Sequence, residues 1–76
     1  MATFTVRQGK RYRATIVLKG IERWASNEMI AQRLTAAGFA DVVVSGLGDR
    51  RTAEAAWPGP DSTGEMPAQV ADVVEI

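Results

Sequence analysis

The 76-residue chain contains no cysteine and no histidine. That double absence removes disulfides, thiolate nucleophiles, imidazole general bases and the usual zinc or iron ligands, so a metal site would have to be built from carboxylates alone. Neither a metal nor an organic cofactor is expected. Aromatic residues are few (two Trp, two Phe, one Tyr), and the formal net charge is zero. No apolar run approaches the length of a membrane span, and the N-terminal MATFTVRQGK lacks the apolar core of a signal peptide. No membrane partner is therefore expected; the cytoplasm is the expected compartment, with virion and periplasm left open. Residues 1–76 are expected to form one domain, and a chain of this size buries only about 60% of its unfolded surface.

What is present centres on residues 26–45, which read as a terminated helix feeding a strand. The Ser26 hydroxyl suits an N-cap, and Glu28 places negative charge where the helix dipole favours it. Met29 stands where a full capping box would have Glu or Gln. Ile30, Leu34 and Ala37 recur at helical spacing as the inward stripe. Gly38 ends the helix as a left-handed C′ residue, with Phe39 at C″ over Leu34, the pattern of a Schellman termination.

Residues 3–7 and 11–19 alternate apolar and polar side chains, as half-buried strands do. A loop of Gln8, Gly9 and Lys10 would join them as a hairpin, with Val6 opposite Tyr12 and Phe4 opposite Ala14, the register in which the apolar faces agree. Residues 20–25 fit a first helical turn or a loop over the core, and Trp24 is expected to be buried in both. Residues 41–45 and 50–57 read as a second hairpin about Gly48 and Asp49, pairing Val44 with Ala53, Val42 with Ala55 and Ala40 with Trp57. The small side chains of Ala53, Ala55 and Ala56 imply a close neighbour, either the helix or another chain. Residues 58–67 hold all three prolines and read as an irregular surface loop. Pro67 suits the start of a short helical turn; for residues 68–76 strand and helix stay open, as does the chain they pair with.

Assembled, the elements give a two-layer α+β domain with a mostly antiparallel, four- to five-stranded sheet and the helix on one face, in the order β-β-α-β-β-loop-β. The strand–helix–strand unit prefers a right-handed crossover between parallel strands with residues 50–57 between them, the split βαβ arrangement. The opposite face, including Thr3, Thr5, Arg13, Val17, Val43 and Ala56, is mixed and small, and suits a second layer from another subunit. Residues 1–25 carry six Lys or Arg and one acid, whereas residues 41–76 carry two Arg and seven acids. That polarity suits sheet neighbours or head-to-tail subunits better than nucleic acid, which is not an expected partner.

Two groups of cations are candidates for an anion site. Arg7, Arg11 and Arg13 cluster at the first hairpin, where the plainer explanation is a charged edge that discourages strand pairing. Gly48, Arg50 and Arg51 belong to the loop Gly46-Leu47-Gly48-Asp49-Arg50-Arg51, but a loop between two strands is not a dinucleotide fingerprint, which joins strand to helix. The acids are dispersed without EF-hand or paired-carboxylate spacing, so no catalytic residue is assigned and no enzyme is expected. Val17, Val43, Ala56, Trp57 and Met66 are the candidate interface residues.

From Tyr12 to Trp57 the chain resembles a SPOR domain. The resemblance rests on the Tyr-led strand, the Ala25-Ser26-Asn27 helix start, the LTAAGF ending at residues 34–39 and an Arg-led strand from Arg51. It implies a βαββ-type fold and binding of peptidoglycan glycan strands that lack stem peptides. Thr15 stands where such domains often carry Gln, and Pro58-Gly59-Pro60 replaces the continuation towards a second helix. The short chain with its proline-rich loop also resembles small accessory proteins of bacteriophages. Together these features lead to the expectation of a non-catalytic binding or assembly module acting as a homo-oligomer. The alternative is capture of a glycan or a small phosphorylated ligand by the hairpin arginines.

Overall fold

The computed structural model describes residues 3–76. Its elements are β1 (Thr3–Val6), β2 (Lys10–Val17), a 3-10 helix (Gly20–Trp24), α1 (Asn27–Ala36), β3 (Ala40–Ser45), β4 (Arg50–Trp57), β5 (Ser62–Glu65) and β6 (Val70–Glu75). The fold is α+β in two layers. The main sheet has the order β3-β4-β2-β6, and a separate two-stranded ribbon pairs β1 with β5. Because β2 and β3 both run antiparallel to β4 between them, they are parallel to each other and α1 is their crossover, the split βαβ arrangement. With β6 antiparallel on the outer edge of β2, the main sheet follows a β-α-β-β-α-β plan in which β5 and a turn take the place of the second helix.

The helix ends are as its local chemistry dictates. The Met29 amide donates to Ser26 Oγ at 3.1 Å, which satisfies one of the free donors of the first turn. At the other end Phe39 N donates to Leu34 O and Gly38 N to Thr35 O, at 3.2 and 3.0 Å, with Gly38 at φ +113°. These are the two bonds of a Schellman motif.

Three expectations need correction. First, β1 and β2 do not form a hairpin. Both edges of β2 are occupied, by β4 and β6, so after the turn marked by Lys10 N donating to Arg7 O there is no free edge for β1. It pairs instead with β5, with Val6 opposite Ser62 and Phe4 opposite Gly64; residues 58–67 are thus not wholly irregular. Second, the β3–β4 hairpin keeps Val44 opposite Ala53, but Ala40 lies opposite Ala56 rather than Trp57. The extra residue on β3 is absorbed by a bulge that includes Asp41 at φ +52°, a conformation Asp tolerates better than most residues. Third, Trp24 is 86% exposed.

The C-terminal segment is a strand within its own chain, preceded by a tight turn in which Val70 N donates to Pro67 O. Its position also explains the uneven charge. Asp72 and Glu75 of β6 lie opposite Thr15 and Tyr12 of the basic strand β2, and Glu54 of β4 pairs with Arg13 at 3.3 Å. The basic and acidic parts of the chain are neighbours in one sheet.

Candidate functional site

α1 packs through Ile30 and Leu34 on Ile16, Leu18 and Ala53, where Val44 of β3 joins them. The β1–β5 ribbon lies near the other end of β2, where Phe4 meets Tyr12 edge to face at 5.3 Å between ring centres. Between the C-terminal end of the helix and the ribbon the sheet is covered by neither, leaving a cleft of about 340 Å³. Ala14, Ala53 and Ala55 form its floor, and Leu34, Phe39, Trp57 and Met66 stand around it. Of the small residues that implied a close neighbour, Ala53 receives the helix through Ile30 and Leu34 and, with Ala55, gives the cleft its depth, whereas Ala56 is not part of the cleft.

The walls are held in place. Trp57 packs edge to face on Phe39 at 5.0 Å and donates through Nε1 to Pro60 O at 2.8 Å. Tyr12 Oη accepts from the Arg7 amide at 2.7 Å, so its polar end is satisfied and its ring faces the cleft. Of five aromatic residues in the chain, Phe4, Tyr12, Phe39 and Trp57 line this cleft, and among the described residues Glu65 is its only charged lining residue. A concave, apolar surface with fixed aromatic walls and few polar groups is the usual make-up of a small-ligand or anchor site.

A second hollow of about 330 Å³ continues along the helix and shares Leu34, Pro67 and Val70 with the first. Its two sides are strapped together by Gln69 Nε2 donating to Glu22 Oε2 at 2.7 Å, while the Lys19 amide donates to Glu22 Oε1 at 3.1 Å. The Gln69 hydrogen bond, and after it the Lys19 amide, lower the Glu22 pKa from its ordinary 4.5. A carboxylate whose ionised form is favoured by folding adds stability above its unfolded pKa and loses it as pH falls through the folded value. Glu22→Gln is therefore expected to flatten the stability loss below pH 4.5, seen in melting curves at neutral and acid pH. Equal acid losses in the two proteins would remove the strap from the account.

The candidate anion residues do not converge. Arg11 and Arg13 lie on the opposite face of β2 from Tyr12, and Arg13 is engaged with Glu54. Arg50 sits beside Val17, at the far end of β2 from Arg11, which lies beside Ala56; at about 3.4 Å per residue the two are about 20 Å apart. Arg51 is buried at 6% exposure. Its Nη1 donates to Asn27 Oδ1 at 2.7 Å, Nη2 to Arg23 O at 3.1 Å and Nε to Gly48 O at 3.2 Å. Those bonds make Arg51 a tie between the 3-10 helix, the start of α1 and the β3–β4 turn, not a ligand group. Arg7 is exposed at the end of the ribbon. The candidate interface residues also divide: Trp57 and Met66 line the cleft, whereas Val17, Val43 and Ala56 belong to the opposite face of the sheet, where Val43 is 63% exposed.

Compared with known proteins, the chain matches no family model, no curated protein and no solved structure. The β2–α1–β3–β4 unit is a plan that many unrelated proteins share, and a plan of this kind carries no ligand assignment. Among the described residues no three acidic side chains gather as a metal site, and no helix is long and apolar enough to cross a membrane.

Proposed function

We propose that this chain is a small, non-catalytic binding module whose working site is the alanine-floored cleft, and that the cleft takes an apolar group. The observation that carries this reading is the concentration of four of the five aromatic residues around one opening of about 340 Å³. Filling such a space with aromatic or aliphatic side chains would stabilise an ordinary core by about 1.5–3 kcal/mol per buried group, yet here Ala14, Ala53 and Ala55 keep it open. Apart from Glu65 and Ser62 on the ribbon, the lining offers a ligand little polar chemistry, which favours capture over catalysis. The arginine-based alternative lacks the convergence that a phosphate site needs.

An apolar dye tests this directly. With Trp24 replaced by Phe, Trp57 becomes the one tryptophan and reports on the cleft. Titration with anilinonaphthalene sulfonate is expected to be saturable and to change Trp57 emission, and Ala55→Phe, which fills the floor, to abolish both responses. Dye binding that survives Ala55→Phe unchanged would place the apolar surface elsewhere and discard the reading.

A further inference from the structure

One group of side chains remains unexplained by the fold or by the cleft. Ile21, Trp24 and Leu47 are 87%, 86% and 88% exposed. Ile21 and Trp24 are three apart in the 3-10 helix, a spacing that eclipses side chains onto one face. Leu47 is brought beside them by a dedicated set of bonds. Asn27 Nδ2 donates to Gly46 O at 3.1 Å, and Arg51 donates both to Gly48 O and to Arg23 O, so the carbonyls on either side of Leu47 are tied to the start of α1 and, through Arg51, to the residue before Trp24. A buried guanidinium is costly to install, and what this one secures is the junction of the 3-10 helix and the β3–β4 turn, a knob whose two segments carry the three protruding apolar side chains.

We infer that this knob is the group the cleft takes, and that the partner is a second copy of this chain bound head to tail. The inference rests on the cleft being the working site. Complementarity supports it in three ways. The four aromatics of the cleft face a site without an indole or long aliphatic occupant, and the fifth aromatic, Trp24, protrudes. Around the knob three cations, Lys19, Arg23 and Arg50, outnumber two acids, Glu22 and Asp49, and the charged residue of the cleft is Glu65. Knob and cleft also lie at opposite ends of the main sheet, the knob beyond the Val17–Arg50 pair and the cleft by the Lys10–Trp57 pair. No copy can satisfy itself in that arrangement, and the contact repeats from one copy to the next as a ring or a filament. Seating three such side chains buries on the order of 1,000 Å² over both partners, at the threshold for a specific contact. Association is therefore concentration-dependent.

The experiment pairs two kinds of variant in analytical ultracentrifugation. Trp24→Ser with Leu47→Ser removes the knob at positions where no packing is lost. Gly64→Trp blocks the cleft from its rim, where an added Cβ meets nothing within 4 Å, and Ala55→Phe blocks it from the floor; circular dichroism verifies that each variant folds. The parent is expected to assemble with rising concentration, each variant alone to stay monomeric, and an equimolar mixture of knob-less and cleft-blocked chains to form a complex of twice the monomer mass that grows no further. Assembly by the cleft-blocked chain alone would show knob-to-knob pairing and overturn the inference. A parent that stays monomeric would overturn it too, while saturable dye binding in that same monomer would leave the cleft itself standing.

Discussion

Arg51→Met is expected to cost about 3 kcal/mol of folding stability. The native guanidinium is buried and donates to three acceptors, Asn27 Oδ1, Arg23 O and Gly48 O. Methionine preserves much of the packed stem but leaves those acceptors, in part-buried bonds, facing a group that cannot donate, and an acceptor left unmet away from water costs more than a made hydrogen bond returns. Arg51→Lys should recover little, because an ammonium is a point charge and the three acceptors are spread to match a planar fork. Against a total stability on the order of 4–11 kcal/mol for a chain of this length, the loss is a large fraction. Urea denaturation of the three proteins checks it. A Lys variant as stable as the parent would mean that charge, not the fork, holds the two loops.

The second large effect concerns the turn that Arg51 secures. Gly46 and Gly48 both have positive φ, +102° and +71°, but an added Cβ at Gly46 would sit 2.7 Å from Arg50 O and 3.2 Å from Arg51 Cα, whereas at Gly48 it meets nothing within 4 Å. Gly48→Ala should therefore cost only the left-handed backbone penalty, about 1 kcal/mol. Gly46→Ala adds a backbone clash that the hairpin can relieve only by spreading, and about 3 kcal/mol is expected. Gly48 at +71° borders the left-handed region open to alanine and Gly46 at +102° lies beyond it, so the difference between the two variants combines that backbone penalty with the close approach of the two strands. Equal losses in denaturant midpoint would contradict the 2.7 Å spacing.

The helix was legible in the sequence because its determinants are local. Ser26 and Met29 are three residues apart, Leu34 and Phe39 five, and the groups that terminate the helix meet as soon as it forms. The split βαβ unit was legible for a related reason: alternation in residues 11–19 and 50–57 shows which side chains share a face, and the turn at Gly48-Asp49 carries Val44 to Ala53. For the candidate site much less could be read. Trp57 and Met66 stood out, and the alanines at 53 and 55 signalled a special surface, but Phe4, Tyr12 and Phe39 looked like ordinary core. The arginines looked alike in the sequence although one is buried and the others are not.

By itself, then, the sequence determined the helix and its ends, the face of each long strand and the pairing nearest the β3–β4 turn, all of which depend on contacts between residues close along the chain. Only the tertiary structure decided which edge each strand takes. β1 loses its apparent hairpin because β4 and β6 reach β2 from far along the chain. β5, exposed along its whole length, carries no apolar alternation; its partner supplies the order, with Thr5 and Thr63 hydroxyls 2.7 Å apart. Arg51 is buried only because Arg23, Asn27 and Gly48, on separate segments, converge on it. Trp24 protrudes because the short 3-10 helix turns its apolar face outward while α1 takes the place on the sheet. Hydrophobicity can say that a residue gains by burial, but competition among distant segments for a limited core decides which residues obtain it.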